Sequence, residues 1–158
     1  DKGEKGVINT IKNLRSRGVA LVGTASSAQE AEKILIVNKN NISMAILAYT
    51  FSTNGIPIPQ GKNYLVSLID ENKIVKDIAR ARKQGADIVT ICLHFGDEYQ
   101  RQPNARQKQL VQRLIAAGAD IILGNHPHVV QPYQIFKVRG KDGKLRTRVA
   151  IYSLGNFI

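Results

Sequence analysis

The tetrapeptide Gly-Ala-Asp-Ile occurs twice, at 85–88 and 118–121. Each copy follows a stretch with helical apolar spacing and opens a short apolar run. Ile74, Val75, Ile78 and Ala79 precede the first copy, and Leu110, Val111, Leu114 and Ile115 precede the second. The runs that follow are Asp87 to Leu93 and Ile121 to Leu123. A helix, a glycine stop and a buried strand, met twice in succession, imply an α/β chain with parallel strands. The two copies mark equivalent helix-to-strand junctions, a shared local chemistry rather than a sequence repeat.

The remaining segments fit around that unit. Val7, Ile8, Ile11 and Leu14 form one helical face that Gly18 can close. Val19 to Val22 reads as a short strand, and Ser27 with Glu30 as a capping box for a short helix. Ile34 to Val37 and Ile42 to Phe51 read as strands joined by the turn Asn38 to Asn41. A loop with Gly55, Pro57, Pro59 and Gly61 leads to another strand, Tyr64 to Leu68. Asn104 is an N-cap with Gln107 three residues on. A closing hairpin joins Tyr133–Val138 to Leu145–Ser153 across Lys141-Asp142-Gly143-Lys144. The parallel part is expected to span residues 64–124, with antiparallel pairs at both ends. No linker or low-complexity tract divides residues 1–158, so one domain is expected.

Charge narrows the partners. Lys plus Arg is 23 and Asp plus Glu is 12, a net charge of +11. A basic domain attracts polyanions. The basic residues are scattered through helices and Trp is absent, so no stacking platform or reading element for nucleic acid is recognisable. No apolar run approaches the roughly 20 residues of a membrane helix. The single cysteine, Cys92, allows no intrachain disulfide and sits in an apolar strand as a small core residue.

The chemistry gathers where strands end. The three histidines are His94, His126 and His128, and each lies just past the carboxyl end of an expected strand. In open α/β sheets that edge is where ligands bind. Imidazole is the commonest metal ligand and suits proton transfer near neutral pH. Two neighbouring histidines plus a distant one suit zinc, manganese or iron. Asp97 and Glu98 are the nearest carboxylates, with Asp1 a third if the fold brings it close. The same residues have plainer readings. Loop histidines are often solvated, Asp97 and Glu98 equally suit an ordinary loop, and Asn54 and Asn156 suit turn chemistry. Arg101 and Arg106 could neutralise the acidic loop or meet a carboxylate or phosphate.

Five runs together resemble the bacterial capsule-synthesis CapA family, also called the poly-gamma-glutamate synthesis family. They are DKGEKGV, AYTFSTNGIPIP, LHFGDEYQRQPNARQ, AGADIILGNHPHVVQP and IYSLGNFI. The family is similar to calcineurin-like metallophosphoesterases. The resemblance therefore implies an α/β four-layer sandwich with mixed sheets, of which 1–158 is a partial domain. By position, His94 resembles the isolated metal-binding histidine of that superfamily, and His126 and His128 its final His-x-His pair. Glu98 matches the glutamate of the His-aromatic-Gly-x-Glu run. The resemblance implies metal binding for His94, His126 and His128; the expected catalytic residues are His126 and Glu98, and the expected substrate contacts Asn54, Tyr99, Arg101, Asn125 and Asn156. Asn125 departs from a common form in which a further histidine precedes the pair.

The resemblance also implies divalent metal, a capsule-polymer or phosphorylated substrate, membrane capsule-synthesis partners, and an extracytoplasmic, membrane-anchored protein. The family's Gly-Asp and Asn-Asn-His motifs are expected before Asp1, so the fragment alone is expected to be inactive. A second expectation is non-enzymatic: a domain that binds and steers a polyanion such as polyglutamate within a membrane assembly. Nucleic acid is not an expected partner. The metal reading carries a geometric demand. Ring nitrogens on a common zinc lie roughly 3–3.5 Å apart, and about twice that when relaxed. Asn125 or Asn156 should reach a ring or a ligand.

Overall fold

The computed structural model describes residues 3–140 and 143–156. Asp1, the Lys141-Asp142 half of the last turn, and the final Phe157-Ile158 of the IYSLGNFI run lie outside the described residues. Helix α1 covers Gly3–Arg15 and α2 covers Ala28–Ala31. Strands β1 (Leu35–Lys39) and β2 (Ile42–Thr50) form the expected hairpin. Asn40 and Asn41, at φ 51° and 61°, make its two-residue turn. Then come α3 (Glu71–Lys83), β3 (Ile88–His94), α4 (Ala105–Ala117), β4 (Ile121–Asn125), β5 (Val130–Arg139) and β6 (Leu145–Leu154).

One six-stranded mixed sheet runs in the order β1-β2-β3-β4-β6-β5. Strands β2, β3, β4 and β6 are parallel, and β1 and β5 close the edges antiparallel. The parallel part is therefore wider than the 64–124 expected, because β2 serves both the hairpin and the parallel ladder. Helices α3 and α4 cover one face. Ile74, Ile78 and Ala81 of α3 and Val111, Leu114 and Ile115 of α4 pack on alternate residues of β2, β3, β4 and β6. Two crossovers of one hand, advancing in one direction through β2, β3 and β4, put both helices on the same face.

Two expected strands are not strands. Residues 19–22 run irregularly, and Val19 is exposed. Residues 63–65 make a 3-10 turn, after which Leu68 alone bridges to Thr50. Each run is apolar but has no neighbouring strand to continue its ladder. Cys92 also differs from expectation: it is half-buried, on the face opposite the helices.

The repeated Gly-Ala-Asp-Ile has a common structural cause. Gly85 and Gly118 adopt φ of 90° and 121°, which ends each helix. Ala86 and Ala119 are buried. The Asp87 carboxylate accepts the Ser43 N–H at 2.8 Å, and the Asp120 carboxylate accepts the Val89 N–H at 2.8 Å. Each aspartate thus ties the start of its strand to the strand before it. Arg82 donates to Asp120 and to the Gly118 carbonyl, locking the α3 and α4 ends together.

Candidate metal centre

Because β2, β3, β4 and β6 are parallel, their carboxyl ends share one edge of the sheet. Phe51, His94, the 125–128 loop and Asn156 all follow from that edge. The β2 and β3 ends are kept in register by the Phe51 N–H, which donates to the His94 carbonyl at 3.0 Å. Likewise the Phe95 N–H donates to the Asn125 carbonyl at 3.0 Å.

Two loops carry most of the functional side chains, and they are fastened to each other. The Tyr99 N–H donates to the Pro127 carbonyl at 2.8 Å, and Pro127 is fully buried. Gly96 faces the Gln107 side chain, where an added Cβ would lie 2.7 Å away. Gln107 completes a two-way capping box with Asn104 and donates to Gln131 at 3.0 Å. Gln131 in turn donates to the Gln100 carbonyl at 2.8 Å. Neither buried glutamine had a functional signal in the sequence.

Tyr99, His126 and His128 have φ of 61°, 107° and 59°. Such conformations cost non-glycine residues about 1–3 kcal/mol each and persist mainly where function demands them. Here the turns let His126 and His128 converge, although an extended chain would point them apart.

The convergence is tight. One ligand atom each from Glu98, His126 and His128 lie within 4.8 Å of one another. His94 lies outside that group of ligand atoms, although its ring centroid, on the neighbouring strand, is 4.7 Å from that of His126. The His126 and His128 rings are 6.1 Å apart. Asn156 Oδ1 lies 2.8 Å from His128 Nδ1, the kind of contact that fixes a tautomer and frees Nε2. Asn125 does not reach a ring: its Oδ1 accepts the His126 backbone N–H at 3.0 Å. His94 is held toward its neutral form, first by burial and then by the nearby His126 and His128. Neutral imidazole is the form that binds metal.

Other expected residues lie differently. The Asp97 carboxylate is occupied by the Asn104 side-chain amide at 2.8 Å. Tyr99 is 69% exposed and stacks beside His128 at 5.9 Å. Asn54 sits in a left-handed turn and Arg101 in an exposed bend. Neither enters the contacts that tie the histidines together among the described residues. A cleft of about 420 Å³, lined by Thr50, Cys92, His94, Leu123 and Asn125, opens beside the cluster. Phe51 is the residue sequence reasoning missed. Its ring lies 4.7 Å from His126 and 6.1 Å from His94. Recognising β2 as a parallel partner of β3 would have brought it to this edge.

The fold is of the metallophosphoesterase-like kind expected, and it sets the histidines at the carboxyl edge of its mixed sheet. A 5'-nucleotidase precursor from Thermus thermophilus shares it, with a TM-score of 0.53 at 15% identity, covering 90% of this chain and 29% of that one. The family described as bacterial capsule synthesis protein PGA_cap matches residues 1–158, and the chain belongs to that family. It is 32% identical to the capsule biosynthesis protein CapA of Bacillus anthracis over 163 residues. It is 33% identical to the PGA biosynthesis protein CapA of Bacillus subtilis strain 168 over 159 residues. Each match covers 100% of this chain, but only 37% and 39% of those relatives.

Proposed function

We propose that this chain supplies ligands for a divalent-metal centre in a phosphoesterase-like hydrolase of capsule or poly-gamma-glutamate synthesis. The observation that carries the reading is the close approach of Glu98, His126 and His128 ligand atoms, within 4.8 Å. Two imidazoles and a carboxylate suit zinc, manganese or iron, and His94 stands beside them as a further ligand. Glu98 is best read as a ligand, since its carboxylate shares the space with both rings. A metal held there supplies Lewis acidity toward a phosphoryl or acyl oxygen. The chain's own residues position the ligands: Asn156 orients His128, and Tyr99 stacks beside it. The substrate in this reading is an anionic envelope polymer or a phosphorylated precursor. The full-length protein, in the same reading, is extracytoplasmic and membrane-anchored, beside membrane capsule-synthesis partners. Among the described residues, no helix is long and apolar enough to cross a membrane.

Metal analysis of protein prepared without chelators tests the reading. The expected result is bound transition metal, lost in His126→Ala and His128→Ala. Metal-free protein after such a preparation overturns it. The net charge of +11 favours a second reading, in which the domain holds the polymer without cleaving it. Polyglutamate binding should then weaken steeply as salt rises and survive His126→Ala. Absence of binding at low salt rules this out.

A further inference from the structure

The two members of the His-x-His pair are held by different means. His128 has a hydrogen-bond partner in Asn156, at 2.8 Å. His126 is nearly buried, at 9% exposure, yet no hydrogen bond among the described residues holds its ring. Metal-binding imidazoles ordinarily have a hydrogen-bonded neighbour that fixes the ring plane. Rings take that place here. Phe51 and His94 lie nearly parallel, 9° apart in plane and 6.1 Å between centroids. The His126 ring is 4.7 Å from each and tilted to them by 50° and 53°. Both separations and tilts fall within the range of favourable aromatic contacts.

Phe51 is costly to keep where it is. It is 47% exposed, directly after β2, at an edge where a polar residue would be better solvated. Its backbone would pair with His94 whatever its side chain, so the strand does not require an aromatic ring.

We infer that Phe51 is a positioning residue, which fixes the His126 imidazole for metal by ring packing in place of a hydrogen bond. The inference rests on the metal-centre reading above. Cobalt(II) titration of the whole protein tests it, with affinity and the visible d–d bands as readouts and thermal unfolding as the fold check. Phe51→Ala and Phe51→Leu are expected to weaken cobalt binding about 10-fold or more, the scale of losing a ligand's supporting neighbour, and to alter the bands. Phe51→Tyr, which keeps the flat face, is expected to restore both. Phe51→Leu keeps apolar bulk, so it still reports if the alanine variant fails to fold. Wild-type affinity and bands in a folded Phe51→Leu variant overturn the inference, as does a Phe51→Tyr variant as weak as Phe51→Leu. Failure of wild-type protein to bind cobalt removes the metal-centre reading itself, a different result from binding that ignores Phe51.

Discussion

The two faces of the sheet are built from similar residues and treated oppositely. The face under α3 and α4 buries Ala45, Leu47, Val89, Ile91, Leu93 and Ile122 almost completely. The opposite face offers Met44, Ile46, Cys92, Leu123 and Ile151, all only partly buried. Toward the β5 edge, Tyr133 and Ile135 are 68% and 56% exposed. Hydrophobicity alone thus fails to say which face carries the fold. Stability is concentrated on one side, while the chemistry hangs from the carboxyl edge on loops fastened by side-chain hydrogen bonds. The two should fail independently.

The largest expected effect comes where the ladder has no room at all. A Cβ on Gly124 would lie 2.0 Å from the Tyr152 carbonyl oxygen, a backbone clash in the centre of the sheet. Gly124→Ala should cost more than about 4 kcal/mol. It is expected to remove cooperative unfolding as followed by circular dichroism. A stably folded Gly124→Ala protein would show that β4 and β6 are less closely paired than described.

Next is a direct contrast between the faces. Ile78 is wholly buried on the helix side. Ile78→Ala should cost about 2–5 kcal/mol through lost burial and a cavity. Ile135→Ser, on the open side, should stay within about 0.5 kcal/mol of wild type. Urea midpoints at constant slope check both. Comparable losses in the two variants would mean that something covers the open face in solution.

This contrast also separates what the sequence revealed from what it hid. The helices α3 and α4 were legible from apolar spacing, and their ends from Asn104 and the two glycines, because those signals are local; the Asp70 cap that starts α3 emerged only in the structure. Strands β3 and β4 were legible from short, mainly apolar runs. Residues 19–22 and 64–68 have similar composition but build no ladder beyond the single Leu68–Thr50 bridge, and pairing is a long-range fact. The convergence of His126 with His128 depends on left-handed backbone at two non-glycine positions, which no propensity foretells. Phe51 was hidden for the same reason as the width of the parallel sheet: its role appears only when β2 is laid beside β3.

The smallest effect expected is proton-linked and belongs to the edge alone. His94 is held below its ordinary value of 6.5 by burial, with help from His126 and His128. The unfolded chain then binds more protons at this residue than the folded one, across the interval between the folded value and 6.5. Stability from keeping His94 neutral is complete above 6.5 and is lost as pH falls through that interval. His94 is an exposed residue, so the change should be modest. Chelator-treated wild type should therefore lose more melting temperature between about pH 7.5 and 5 than His94→Gln, which cannot titrate there. Parallel melting curves would mean that His94 is as well solvated in the fold as in the open chain. The crowding among the three rings would then have no electrostatic consequence. Added metal should widen the difference, because protons and metal compete for the same neutral imidazole.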